Sequence, residues 1–134
     1  RMKQYCENGL AVAKYFQQSD KIDKVSYPAL PGDAYHDLAQ KYLPNGTSGV
    51  VTITVKGGRA NAEKFMDGLK LASKEVHVAD IRTCVLHPAS ATHRQLTDEQ
   101  LVAAGVNPAL IRFSVGLENV EDIIADIQQS LDQI

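Results

Sequence analysis

Two cysteines in 134 residues, Cys6 and Cys84, are too few for a disulfide-dense secreted scaffold, and without a Cys-x-x-Cys pair they form no zinc framework. They read as buried free thiols, and no metal site is expected. Positive charge is also in short supply. Fourteen Lys and Arg against sixteen Asp and Glu give a formal charge of −2, so no broad basic field exists to hold nucleic acid. No apolar run approaches the roughly 18 residues that a membrane span requires, and no charged-then-apolar leader opens the sequence. A soluble, cytoplasmic protein with neither a membrane nor a nucleic-acid partner is the expectation. What is present, 44% hydrophobic and 22% charged residues, is the balance of a globular chain. One domain over residues 1–134 is long enough to bury about two-thirds of its unfolded surface.

Apolar spacing predicts a helix from Met2 to Phe16, with Met2, Cys6, Gly9, Leu10, Ala13 and Phe16 on its inner side. No cap residue precedes it, so the chain is expected to be a piece of something longer. Lys24 to Tyr27 reads as a short strand ended by Pro28 and Pro31. Asp33 offers an N-cap to a second helix carrying Tyr35, Leu38, Ala39 and Tyr42 at helical spacing. The β-branched run Val50 to Val55 is the clearest strand. The turn Lys56-Gly57-Gly58-Arg59 then leads into a helix with Ala62, Phe65, Met66 and Leu69 inward.

Between Val76 and Leu86 the pattern is irregular, with a strand over Thr83 to Leu86 before Pro88. Thr97 to Gln100 is a capping box, with Leu96 and Leu101 as its staple and Gly105 as its left-handed stop. Leu110 to Val115 alternates, placing Ile111, Phe113 and Val115 on one face and Arg112 on the other. Asn119 caps a last helix whose stripe is Val120, Ile123, Ile124, Ile127, Leu131 and Ile134. Five helices alternating with four strands imply an α/β, two-layer sandwich, a small sheet covered chiefly on one face.

Arg112 is the most informative polar residue, because a guanidinium in the middle of a strand must find water, a carboxylate or an anionic ligand. It either pairs with a local acid such as Glu118, lies exposed on an open sheet face, or offers its planar fork to a bound carboxylate. His87 and His93, six residues apart, match no zinc spacing and read as structural, bonded to loop carbonyls. Lys56-Gly57-Gly58-Arg59 could cradle a phosphate at a helix start, yet an ordinary turn accounts for it better. Ser73-Lys74 reads as a solvated lysine, and the apolar neighbours of Cys84 argue against a nucleophile.

Several stretches also stand out together: Arg1 to Asn8, Tyr35 to Ala39, Lys41 to Pro44, Lys56 to Gly58, His87-Pro88-Ala89-Ser90 with Thr92-His93, and Leu110 to Glu118. In this order they resemble the C-terminal domain of the pyridoxal-phosphate enzymes of cysteine and methionine metabolism, the O-acetylhomoserine sulfhydrylase branch in particular. The resemblance implies the fold of that domain in fold-type I enzymes, a mainly antiparallel sheet with helices chiefly on one face. It also implies a parent that uses pyridoxal phosphate to draw electrons from the Cα and Cβ of an amino acid, converting O-acetylhomoserine and sulfide or methanethiol to homocysteine or methionine and acetate.

The family's catalytic lysine, phosphate-binding residues and stacked aromatic ring lie in its large domain. By the resemblance this chain therefore carries no catalytic or cofactor-binding residue and is inactive alone. Its contribution is substrate binding. The arginine of the family's Ile-Arg-x-Ser motif falls on Arg112, and the serine of its Gly-Asp-x-x-Ser-Leu pattern falls on Thr83, within Ala79-Asp80-Ile81-Arg82-Thr83-Cys84. The partners implied are the large domain, a small amino-acid substrate and, for the parent, a homotetramer; the fragment is expected to self-associate. Sibling activities, cystathionine γ-synthase, cystathionine γ-lyase or methionine γ-lyase, fit the same motifs. A stand-alone regulatory module binding an amino acid is the alternative of another class.

Overall fold

A computed structural model describes residues 1–134 as five helices and one five-stranded sheet. In chain order these are α1 (Met2–Gln18), β1 (Ile22–Ser26), α2 (His36–Tyr42), β2 (Val50–Val55), α3 (Gly58–Gly68), β3 (Ser73–Lys74), β4 (Cys84–Leu86), α4 (Asp98–Ala103), β5 (Leu110–Ser114) and α5 (Val120–Leu131). The strands lie in the order β1-β2-β5-β4-β3; all neighbours are antiparallel except β3 with β4. This is the mainly antiparallel α/β sheet expected.

Alternation decides which face of the sheet is dry. Val51, Ile53 and Val55 of β2 and Ile111 and Phe113 of β5 are buried on one side, where they join Val12 and Phe16 of α1, Phe65 of α3 and Ile123 and Ile127 of α5 in one core. The Phe113 ring sits 5.2 Å from that of Phe16 and 6.1 Å from that of Phe65, both tilted. The opposite face carries Val50, Thr52, Thr54 and Arg112, all half-buried. No helix of the chain is long and apolar enough to cross a membrane.

Local signals behave as their chemistry predicts at α4 and α5. Thr97 and Gln100 close a reciprocal capping box, Gly105 takes φ +79° after the helix, and the Asn119 side chain accepts from the amide of Glu121.

Several expectations are corrected. Asp33 does not cap α2; its carboxylate accepts from the amides of Tyr27 and Tyr35, so it shapes the preceding turn and the helix begins three residues later. Of the α2 stripe only Ala39 is buried, while Tyr35, Leu38 and Tyr42 are exposed. Cys6 is only half-buried, whereas Cys84 is buried, and both are free thiols. The first strand also starts earlier than expected and ends before Tyr27, which is buried beyond it. Two-residue β3 has no counterpart in the sequence reading.

Candidate functional site

Arg112 lies in β5 with Thr52 of β2 on one side and Leu86 of β4 on the other, facing away from the aromatic core. Its Nη2 donates to the carbonyl of Val76 at 2.8 Å and, more weakly, to that of His77 at 3.4 Å. Its Nε is buried and has no hydrogen-bond partner. No carboxylate forms an ion pair with it, and Glu118 is engaged elsewhere. One edge of the guanidinium is therefore anchored to backbone while the rest keeps unspent donors. Such a planar, partly desolvated fork is suited to a bidentate carboxylate.

The carbonyls that hold Arg112 belong to residues 75–83, a segment laid against β5 and the turn after it. Ala79 bends it at φ +60°, an uncommon conformation for a residue with a Cβ, and three contacts over-determine that bend. The Ala79 amide donates to Ser114 Oγ at 3.0 Å, and the Tyr5 hydroxyl contacts the carbonyls of Ala79 and Asp80 at 3.1 and 3.0 Å. Asn8 in turn donates to the carbonyls of Gly116 and Glu118. Gly116 has no room for a side chain, since a Cβ there would lie 2.5 Å from the carbonyl oxygen of Ile81.

Thr83 is fully buried in this arrangement. Its amide and hydroxyl donate to the two carboxylate oxygens of Glu118 at 2.7 and 2.9 Å, and its oxygen accepts from the Gly116 amide at 3.0 Å. Both of its donors are engaged within the chain, and with them Thr83 ties the segment before β4 to the turn after β5. Tyr5, Asn8 and Ser114 were not singled out from sequence, and Glu118 was named only as a possible partner of Arg112, which it does not contact. Only Ser114 carries a hint, as a second polar residue on the face of β5 that bears Arg112.

The remaining candidates fall into place as structural groups. His87 is buried between Ser90 Oγ at 2.8 Å and the Pro108 carbonyl at 2.6 Å, the loop-bonded role expected, whereas the His93 ring meets only the Thr92 hydroxyl. Gly57 and Gly58 both take positive φ, and the Asn61 side chain donates to the Lys56 carbonyl, so the segment is built as a strand-to-helix turn. Lys74 is exposed and pairs with Asp67. Burial pushes the Cys84 thiol above its usual range.

The family model described as Cys/Met metabolism PLP-dependent enzyme matches residues 1–132. The chain belongs to that family. It is 46% identical over 132 residues to homocysteine synthase of Schizosaccharomyces pombe, covering 98% of this chain and 31% of that protein. To O-acetyl-L-homoserine sulfhydrylase of Leptospira meyeri it is 42% identical over 135 residues, covering all of this chain and 30% of the relative. A crystal structure of a Campylobacter jejuni protein assigned as an O-acetylhomoserine (thiol)-lyase, with its cofactor present as a pyridoxyl-lysine, superposes with a TM-score of 0.90. It is 36% identical, over 98% of this chain and 31% of that one. This chain thus spans about a third of the length of the relatives it matches.

Pyridoxal phosphate is the cofactor of this Cys/Met metabolism family, and the residues present here do not fit it. A lysine that condenses with an aldehyde needs a pocket favouring its neutral amine. Of the nine lysines eight are exposed, and half-buried Lys21 donates to the carbonyl of Ile134. The family member offers instead an arginine with open valences beside a braced loop.

Proposed function

We propose that this chain is the substrate-carboxylate-binding domain of a pyridoxal-phosphate-dependent O-acetylhomoserine sulfhydrylase, with Arg112 as the group that holds the amino acid's α-carboxylate. The single observation that carries the reading is the buried, unpartnered Nε of Arg112 on a guanidinium with no acid beside it. Leaving such a donor dry costs about 1–3 kcal/mol, a cost that a bound carboxylate repays with charge-assisted bonds. Thr83 acts at one remove. Through Glu118 and Gly116 it ties the segment on which residues 76 and 77 present their carbonyls to Arg112 against the turn after β5.

In this reading the cofactor and the lysine that carries it belong to a large domain of the same polypeptide, and these 134 residues are inactive alone. The parent is a cytoplasmic homotetramer. Exposed Tyr35, Leu38, Tyr42 and Leu43 at α2, with Val76, Val78 and Ile81 beside the site, support a covering partner or self-association of the isolated piece. The relatives' names support O-acetylhomoserine as substrate, with sulfide or a thiol as acceptor.

The test is steady-state kinetics of the intact enzyme with Arg112→Ala. KM for O-acetylhomoserine should rise about 30- to 1,000-fold, the equivalent of about 2–4 kcal/mol of lost charge-assisted binding, with kcat changed far less. An unchanged KM overturns the assignment. Turnover by the 134-residue chain supplied with pyridoxal phosphate would overturn the division of labour.

A further inference from the structure

Beside the Arg112 anchor, four potential metal donors of three chemical kinds converge. The carboxylates of Glu75 and Asp80, the ring nitrogen of His77 and the thiol of Cys84 place one ligand atom each within 4.8 Å of one another. His77 Nδ1 is 2.8 Å from Glu75 Oε2 and 3.7 Å from Asp80 Oδ2. The spacing in sequence hides this group, because the donors meet only through the bend at Ala79 and the return of the chain into β4. The expectation of no metal rested on the absence of a Cys-x-x-Cys motif, which such a site does not need.

We infer that Glu75, His77, Asp80 and Cys84 form a binding site for one divalent transition-metal cation of the zinc class. Zinc bonds of about 2.0–2.3 Å require tetrahedral donors roughly 3.3–3.8 Å apart, so the four side chains need close by only about an ångström. His77 is exposed and Glu75 and Asp80 are half-buried, so these three side chains keep room to shift toward an ion while Cys84 stays fixed in β4. One sulfur, one imidazole and only two carboxylates favour a borderline-soft ion over calcium or magnesium, which prefer six or more oxygen ligands.

The arrangement already attracts positive charge. Arg82 Nη2 lies 3.2 Å from Glu75 and 3.4 Å from Asp80, and its side chain is 52% exposed. A long ion pair whose cation is exposed is weakly held. A divalent ion therefore displaces Arg82 into solvent, takes both carboxylates and the neutral imidazole, and releases the Cys84 thiol proton to water.

The metal-free protein is titrated with Zn2+, and with Co2+ as a visible reporter. One equivalent should bind, with a thiolate-to-cobalt charge-transfer band and tetrahedral d–d bands that lie clear of cofactor absorption. Cys84→Ser should remove the charge-transfer band. His77→Ala, at an exposed position that folding does not depend on, should weaken binding by at least about 10- to 100-fold. Arg82→Ala should tighten it, by removing the competing cation. Mg2+ and Ca2+ should fail to compete. The proposal is overturned by an absence of saturable Zn2+ binding, by a cobalt spectrum without thiolate character, by equal competition from Ca2+, or by an affinity that His77→Ala leaves unchanged.

Discussion

Thr83 and Glu118 close on each other through two bonds, amide to Oε1 at 2.7 Å and hydroxyl to Oε2 at 2.9 Å, and tie the segment before β4 to the turn after β5. Thr83→Val keeps the volume but strands a carboxylate oxygen and the Gly116 amide in a buried place. The expected loss is about 2–4 kcal/mol, read as a shift of the urea midpoint. Thr83→Ser keeps the hydroxyl and loses one buried methyl, so it should cost only about 1 kcal/mol.

A second carboxylate performs a similar task on the other side of the sheet. Asp126 in α5 accepts from three consecutive amides, those of Lys70, Leu71 and Ala72, at 2.8, 2.9 and 3.0 Å. These amides follow the end of α3, and Asp126 is what locks that exit against α5. Asp126→Ala should cost about 2–4 kcal/mol by urea unfolding. Asp126→Asn should cost nearly as much, because its amide nitrogen would face a backbone donor instead of accepting from it.

Both of these braces escape a reading of the sequence, for a common reason. The strand Val50–Val55, the Thr97 box and the α5 stripe are legible because their signals sit within a few residues of one another. The bend at Ala79 and the Thr83–Glu118 pair depend on partners 35 residues away, and two-residue β3 exists only through its pairing with β4 across an irregular loop. The exposed α2 stripe misleads in the opposite sense, since helical spacing reports which residues share a face and not whether anything covers it. Arg112 could be picked out because strand alternation alone puts it opposite Ile111 and Phe113. What surrounds it could not, and the carbonyls of Val76 and His77 come from an irregular segment.

Stability should also depend on alkaline pH through Tyr27. Its ring is fully buried, and its hydroxyl donates to the Ser48 carbonyl at 2.7 Å with the Cys6 carbonyl at 3.3 Å. Burial holds this phenol above its usual value of 10.0, and burial with the nearby Asp132 raises Tyr15 in the same sense. A raised folded-state value means that the neutral phenol is the form the fold favours. This contribution is complete below the unfolded pKa of about 10 and is lost as pH climbs through the higher folded value. Unfolding free energy measured from pH 8 upward should fall on that alkaline limb. Tyr27→Phe should flatten the limb while lowering stability by about 1–2 kcal/mol at neutral pH.

Neighbouring residues of β5 should respond to truncation in opposite ways. Phe113 packs against Phe16 and Phe65 in the core, so Phe113→Ala should cost about 3–5 kcal/mol of stability through the cavity it leaves. Arg112, one residue away on the other face, pairs with no acid and keeps a dry, unpartnered Nε. Its removal gives up one good and one long bond to backbone carbonyls while relieving a desolvated donor, so Arg112→Ala should lower stability by only about 1 kcal/mol, read from the urea midpoint. The intact enzyme should nonetheless lose affinity for its amino-acid substrate. If the arginine variant instead unfolded as readily as the phenylalanine one, the change in KM would report a damaged sheet. A stable fold with a large rise in KM separates the two faces of the strand, one spent on the core and the other left for the ligand.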